Sequence, residues 1–184
     1  MEFTIYNQEN APEGSKALLE NSLKSYGMVP NLHGALAESP QILEAYKVIA
    51  GLFTKSSLSA EERHVVWMSI NVDNQCHYCV PAHTAIAKMD KVGDEILNAI
   101  RDETPIPNTR LEALRTFTLQ LKHQQGRLND EQLQTFLDAG FTKANVFDVL
   151  LGLAHKTISN YTNHFVNTPV DQPFQAFAWE AKTV

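Results

Sequence analysis

Apolar residues recur along this chain at helical spacing, and β-branched alternation of strand type is absent over any useful length. Ser39-Pro40 puts a proline at a first helical position, and Ile42, Leu43, Tyr46 and Ile49 follow on one apolar side. Ser59 with Glu62 three residues later fits a capping box. It opens EERHVVWMSINV, whose expected core positions are Val65, Met68, Ile70 and Val72. A further helix is expected to begin near Cys76 and to run through HTAIAKM, and GDEILNAIRD makes a short one. After the break TPIP, NTRLEALRTFTLQLKHQQG repeats the pattern at Leu111, Leu114, Phe117 and Leu121, with Gly126 as its stop. DEQLQTFLDAG ends at Gly140. TKANVFDVLLGLAHKTISNYTNHFV is the longest and most apolar segment, which places it at the centre of the fold or at a subunit contact. The expectation is an all-α fold of about seven or eight helices in one domain over residues 1–184. Residues 1–10 and the tail after Pro169 read as extended arms, and Phe174, Phe177 and Trp179 of the tail are expected to pack on the same domain or on a neighbouring subunit.

Composition narrows the function classes. Hydrophobic residues are 43% of the 184, enough for a core that needs no covalent staple. A net charge of -6 without clustered Lys and Arg argues against a nucleic-acid partner. No apolar run reaches the roughly 18 residues of a membrane span. The start MEFTIYNQEN lacks the basic and apolar stretches of a signal peptide, so the expected compartment is the cytoplasm, where thiols stay reduced.

That compartment sharpens the reading of NQCHYCVPAH at residues 74–83, which holds both cysteines of the chain. A disulfide between Cys76 and Cys79 closes a very small loop and removes little chain entropy, so it is a poor staple and a suitable reversible redox pair. On a helix, Cys76, Cys79 and His83 share a face. The free N–H groups of a helix start lower a thiol pKa, and an imidazole one turn away can take the proton. Pro81 fits only near the beginning of that helix. Three readings compete: a dithiol redox centre, a metal site with Cys76, Cys79, His83 and His77 as ligands, and two buried cysteines acting as small apolar residues. Structural zinc usually takes two ligand pairs spread along a chain, whereas these ligands crowd one turn, so no metal or cofactor is expected.

NVDNQCHYCVPAHTAIAKM resembles the core motif C-x-x-C-x-x-x-H of the AhpD-like alkylhydroperoxidases, in the carboxymuconolactone decarboxylase superfamily. YGMVPNLHGALAESPQILEAY upstream, with RLEALRTFTLQL and GLAHKTISNYTNH downstream, resembles the peroxidase-related branch, over roughly residues 20 to 170. The resemblance implies an all-helical, AhpD-like homo-oligomer, a trimer or a hexamer. It implies a peroxide substrate and a dithiol or thioredoxin-like reductant. It makes Cys79 the cysteine that attacks the peroxide, Cys76 the resolving cysteine and His83 a proton-relay histidine. Tyr78 falls where some members have a second relay histidine. Many members carry a glutamate twelve residues before the first cysteine; His64 stands there in this chain. The outer base of the relay is therefore His64, Glu61 or Glu62, or is missing. Two alternatives stay open. One is a lactone enzyme of the decarboxylase type, whose members generally lack the cysteine pair. The other is a non-catalytic dithiol sensor, which oxidises once and needs a protein partner.

The remaining polar residues have bland expectations. His155 reads as a hydrogen-bonded core histidine, Asn160 and Asn163 as residues bonded to backbone or to a subunit neighbour, and Trp67 and Met68 as core, with the lining of a pocket for an apolar peroxide tail as their alternative. His33 and His123 have no partner legible in the sequence.

Overall fold

A computed structural model describes residues 2–182. Among the described residues nine α-helices follow one another: α1 Glu13–Tyr26, α2 Asn31–Leu36, α3 Pro40–Thr54, α4 Ala60–Asp73, α5 Cys79–Met89, α6 Asp94–Arg101, α7 Thr109–His123, α8 Asp130–Asp138 and α9 Lys143–Val166, then a 3₁₀ turn Gln172–Phe177. No strand occurs among the described residues. Eight of these helices exceed six residues, in keeping with the expected all-α fold.

The end signals act as the sequence suggested. Pro40 stands at the start of α3. Ser59 and Glu62 form both bonds of the capping box of α4, and Thr142 with Asn145 does the same for α9. Gly126 and Gly140 take positive φ, 80° and 89°, which a Cβ would disfavour. Three features differ from the pattern-based reading. Neither α1 nor α2 was expected from periodicity; α1 buries only Leu19 with Ser15 and Ser22, too sparse a stripe to stand out, and α2 is only six residues long. α5 starts at Cys79, not near Cys76, because residues 76–78 form a turn. The tail is not merely extended: it forms the 3₁₀ turn.

α4 is the hub. Every residue from His64 to Val72 is buried, so this helix has no polar face and is enclosed by α5, α6, α7 and α9. α9 crosses it closely at Gly152, where an added Cβ would lie 2.8 Å from Val66 Cγ1 and 2.9 Å from the Phe53 ring. One apolar cluster gathers Phe53, Met68, Ile70, Leu97, Ile100, Leu114, Phe117 and Phe136 around α4, α6, α7 and α8. A second joins Leu19, Leu32, Leu43 and Tyr46 of α1–α3 to Cys76, Tyr78 and Cys79. Each fully buried large side chain contributes about 1.5–3 kcal/mol of transfer free energy. Ion pairs fasten the rim: Glu62 to Arg110 at 2.8 Å, and Asp73 to both Lys122 and His123.

Candidate active site

The turn between α4 and α5 sets the position of both sulfurs. Gln75 adopts φ 53°, Gln75 N–H donates to Val72 O at 2.8 Å and Cys76 N–H to Asn71 O at 2.9 Å. That is a Schellman-type ending, and it reverses the chain within three residues. Cys76 then lies over the first turn of α5, where the Cys79 N–H donates to its Sγ at 3.2 Å. The two cysteines are disulfide-paired, with Cα atoms 5.3 Å apart. Both are buried, at 0% and 2% exposure, within the cluster on α1–α3. Pro81, at the third position of α5, sits where a helix lacks its own acceptor and no bond is lost.

Asparagines surround the sulfurs. Asn160 Nδ2 donates to Cys79 Sγ at 3.0 Å and to Asn71 Oδ1 at 2.9 Å, while its Oδ1 accepts from Asn74 Nδ2 at 2.7 Å. With its oxygen so occupied, the amide must turn its N–H groups toward the sulfur. Asn163 Nδ2 adds a contact to Cys79 Sγ at 3.1 Å and one to Cys76 Sγ at 3.9 Å. Amide donors and a helix start both favour the thiolate over the thiol.

α5 and α4 run back to back, and α9 covers them, so side chains meet in successive rungs. The first rung is Asn71, Cys79 and Asn160. The second is Trp67, His83 and Lys156. His83 Nε2 lies 2.7 Å from Lys156 Nζ, and the His83 ring meets the Trp67 ring edge-on with centroids 5.1 Å apart. Lys156 is fully buried, and burial pushes its pKa down to about 7. His83 is held well below the ordinary imidazole value, first by burial and then by the adjacent Lys156. The third rung is His64 against Asp90, with Nε2 to Oδ2 at 2.7 Å. Burial lowers the His64 pKa despite that carboxylate. His155 stacks on Tyr46 at 4.5 Å and faces Trp67 at 5.6 Å; burial holds it well below its ordinary value too.

The structure thus brings Cys76, Cys79 and the asparagines together, with His83 one turn from Cys79. It places the other expected residues elsewhere. His64 is two rungs away and bonded to Asp90. Glu61 and Glu62 lie in the first turn of α4, at the opposite end from the sulfurs, about 15–18 Å along the axis. Glu62 is engaged in the capping box and with Arg110. Tyr78 Oη donates to Asp171 Oδ2 at 2.5 Å, and its pKa is raised by burial and by that carboxylate. This bond ties the tail across the motif, as do His77 Nε2 on Thr168 O at 3.0 Å and Phe174 packed on Tyr78. Arg101 holds the tail's Phe177 and Ala178 carbonyls, and Trp179 Nε1–H donates to Arg101 O. The aromatic tail therefore packs on its own chain. His33 and His123 find partners in Ser22 and Asp73.

Lys156, Asn71 and Asn74 were not singled out in the sequence, and Asn160 and Asn163 were expected on backbone or a neighbour. One signal was available. Val149, Gly152, Lys156, Asn160 and Asn163 form a single helical stripe, buried throughout, that turns from apolar to polar halfway. A polar stretch on a core stripe marks a built site.

Residues 40–113 match the carboxymuconolactone decarboxylase family. No curated protein matches the chain. The AhpD-core, uncharacterised peroxidase-related protein of Ralstonia eutropha JMP134 has a similar fold, with a TM-score of 0.83, 20% identity, and 94% of this chain and 93% of that one covered. A peroxidase-related protein of Silicibacter sp. TM1040 gives 0.79, with 17% identity and 95% of each chain covered. The debrominase Bmp8, in complex with 2,3,4-tribromopyrrole, gives 0.77, with 14% identity and 96% and 95% covered. At such identities the likeness speaks for the fold.

Proposed function

We propose that this chain, whose residues 40–113 match the carboxymuconolactone decarboxylase family, is an AhpD-like, thiol-dependent peroxidase acting on hydroperoxides. The observation that carries this reading is the sulfur of Cys79 at a helix start, receiving two amide N–H groups at 3.0 and 3.1 Å. In the reduced protein those donors stabilise a thiolate.

The Cys79 thiolate attacks the outer oxygen of the hydroperoxide. An S–O bond forms, the O–O bond breaks, and the electron pair leaves on the alkoxide, which takes a proton from the His83 side. Cys76 then attacks the sulfenic acid sulfur; water leaves and the disulfide closes. An external dithiol or thioredoxin-like protein, two electrons at a time, restores both thiols. Tyr78 anchors the tail by its bond to Asp171, and no step is assigned to Glu61 or Glu62. The whole chain acts as one domain. The exposed Phe147, Leu150, Tyr161 and Phe165 of α9, with Val48 and Leu52 of α3, support a homo-oligomer, a trimer or hexamer, built on that face.

A second reading, reductive dehalogenation, is favoured by the similar fold of the tribromopyrrole-bound debrominase. Turnover assays with an alkyl hydroperoxide, and separately with a bromopyrrole, over a panel of dithiol reductants decide between them. The proposal expects catalytic peroxide loss that vanishes in Cys79→Ser. Debromination without peroxide turnover favours the second reading. A single stoichiometric oxidation, without turnover, makes the chain a sensor and overturns the catalytic assignment.

A further inference from the structure

The hydrogen bond between His83 and Lys156 has a chemical peculiarity: both partners are bases, and neither meets a carboxylate there. Lys156 Nζ has His83 Nε2 as its hydrogen-bond partner at 2.7 Å. His83 Nδ1 is buried and unpartnered. The titratable groups around the pair are Cys79 on the same helix, His64 of α4 with Asp90 behind it, His155 of α9, and Tyr46 of α3 with His33 of α2 beyond it. Asp90 is engaged by His64, and among the described residues the base hydrogen-bonded to His83 is Lys156.

We infer that Lys156 is a positioning residue that stores the proton of Cys79, exchanging it through His83 by a switch of imidazole tautomer. The two states follow from the donor and acceptor inventory. With Lys156 neutral, His83 holds its proton on Nε2 and donates it to Nζ, which leaves Nδ1, unpartnered while Cys79 is held in the disulfide, as the lone pair that receives the thiol proton once reduction frees that sulfur. When Nδ1 takes that proton, Nε2 passes its own to Lys156. Cys79 becomes a thiolate, Lys156 an ammonium, and the imidazole stays neutral with Nδ1–H as a donor. After the O–O bond breaks, the transfers reverse: Nδ1–H goes to the alkoxide, Lys156 returns a proton to Nε2, and the alcohol leaves. The charges balance at each stage, and no further acid is needed. Two findings agree with this arrangement. His83 is kept from charging, and burial brings Lys156 to about 7, where it can both accept and release a proton. The rungs also fit: Lys156 precedes Asn160 by one turn of α9, as His83 follows Cys79 by one turn of α5.

The inference rests on the peroxidase reading for its second half only, so its test reads the thiol itself. The alkylation rate of Cys79 is followed against pH in the reduced Cys76→Ser protein, with and without Lys156→Met and Lys156→Arg. Peroxide consumption is measured on the same substitutions in the otherwise native chain. Lys156→Met should move the alkylation midpoint up toward the ordinary thiol value of about 8.5 and slow peroxide consumption about 100-fold. Arg keeps a cation in place but cannot release its proton. It should preserve or lower the midpoint while peroxide consumption still falls, an outcome that a merely structural or electrostatic lysine would not give. If the midpoint shifts in the Met variant of a protein that consumes no peroxide, the coupling of Lys156 to the Cys79 thiol stands and the peroxidase reading falls. An unshifted midpoint in the Met variant, or full peroxide activity in the Arg variant, overturns the inference.

Discussion

Asn160 spends one amide hydrogen on Cys79 Sγ and the other on Asn71 Oδ1, while Asn74 holds its oxygen. The residue that touches the sulfur is thereby fixed from α4, the helix that leads into the motif. Asn163 reaches the same sulfur, but its Oδ1 is buried without a partner.

This asymmetry separates the two asparagines. Asn163→Leu removes a sulfur contact and an unsatisfied oxygen together, so stability should change little while the thiol pKa of Cys79 rises. Asn160→Leu also strands Asn71 and Asn74 and should cost about 1–3 kcal/mol of stability. A hydrogen bond to a charged group is worth about 1.5–3 kcal/mol, so each variant should slow alkylation of Cys79 roughly ten- to a hundredfold at neutral pH. Thermal melts and alkylation kinetics on the reduced variants check both.

Lys156 predicts a pH dependence of stability. Its folded pKa is lowered from the ordinary 10.5 to about 7, so the unfolded chain binds more protons between those values. Stability contributed at this position rises with pH across that window and is at its lowest below it. Lys156→Met removes the cost of burying the charge. The variant should melt higher than the native chain near pH 7, and the gap should close toward pH 10. An equal gap at both ends would contradict the lowered value.

The buried histidines predict the opposite edge. Burial lowers His33 to about 3 and holds His64, His83 and His155 below 6.5. Folded, they stay neutral where the unfolded chain is protonated. Their contribution is therefore complete above about pH 6.5 and lost as pH falls toward 3. The melting temperature should drop through this range, and His33→Gln should lessen the drop. A flat profile from pH 7 to 4 would argue against neutral burial.

The helices and their stops were legible because local signals act locally. The capping box at Ser59, the proline at 40 and the glycines at 126 and 140 need no tertiary partner to be recognised. The motif with Cys76, Cys79 and His83 was legible for the same reason, because its spacing is local, although Cys76 lies in the turn before α5. What meets it was not. Lys156, Asn160 and Asn163 come from a helix some eighty residues later, and only the packing of α9 on α4 and α5 makes them neighbours. The reach of His64 to Asp90 depends likewise on how two helices run back to back. α1 was missed because two of its three buried residues are serines, Ser15 and Ser22, satisfied by Ala37 O and Leu18 O.

The exposed face of α9 predicts association. Phe147 is 70% exposed and Phe165 62% exposed, and Phe165 meets Phe3 of the N-terminal arm. The native chain should sediment as a trimer or hexamer at micromolar concentration. Phe147→Lys with Phe165→Glu should shift it toward a monomer of 20.6 kDa. A native monomer would refute the oligomer.

The central claim is that Cys79 is oxidised by peroxide and Cys76 resolves it. The most direct measurement is trapping on the reduced Cys76→Ser protein. It is mixed with one equivalent of an alkyl hydroperoxide and then with a dimedone-type probe, and the labelled residue is located by mass spectrometry. The account predicts a single sulfenic acid adduct on Cys79, one alcohol released per adduct, and no adduct in Cys79→Ser. Labelling of Cys76 in Cys79→Ser at the native rate, or no adduct on Cys79 while peroxide persists, would contradict it.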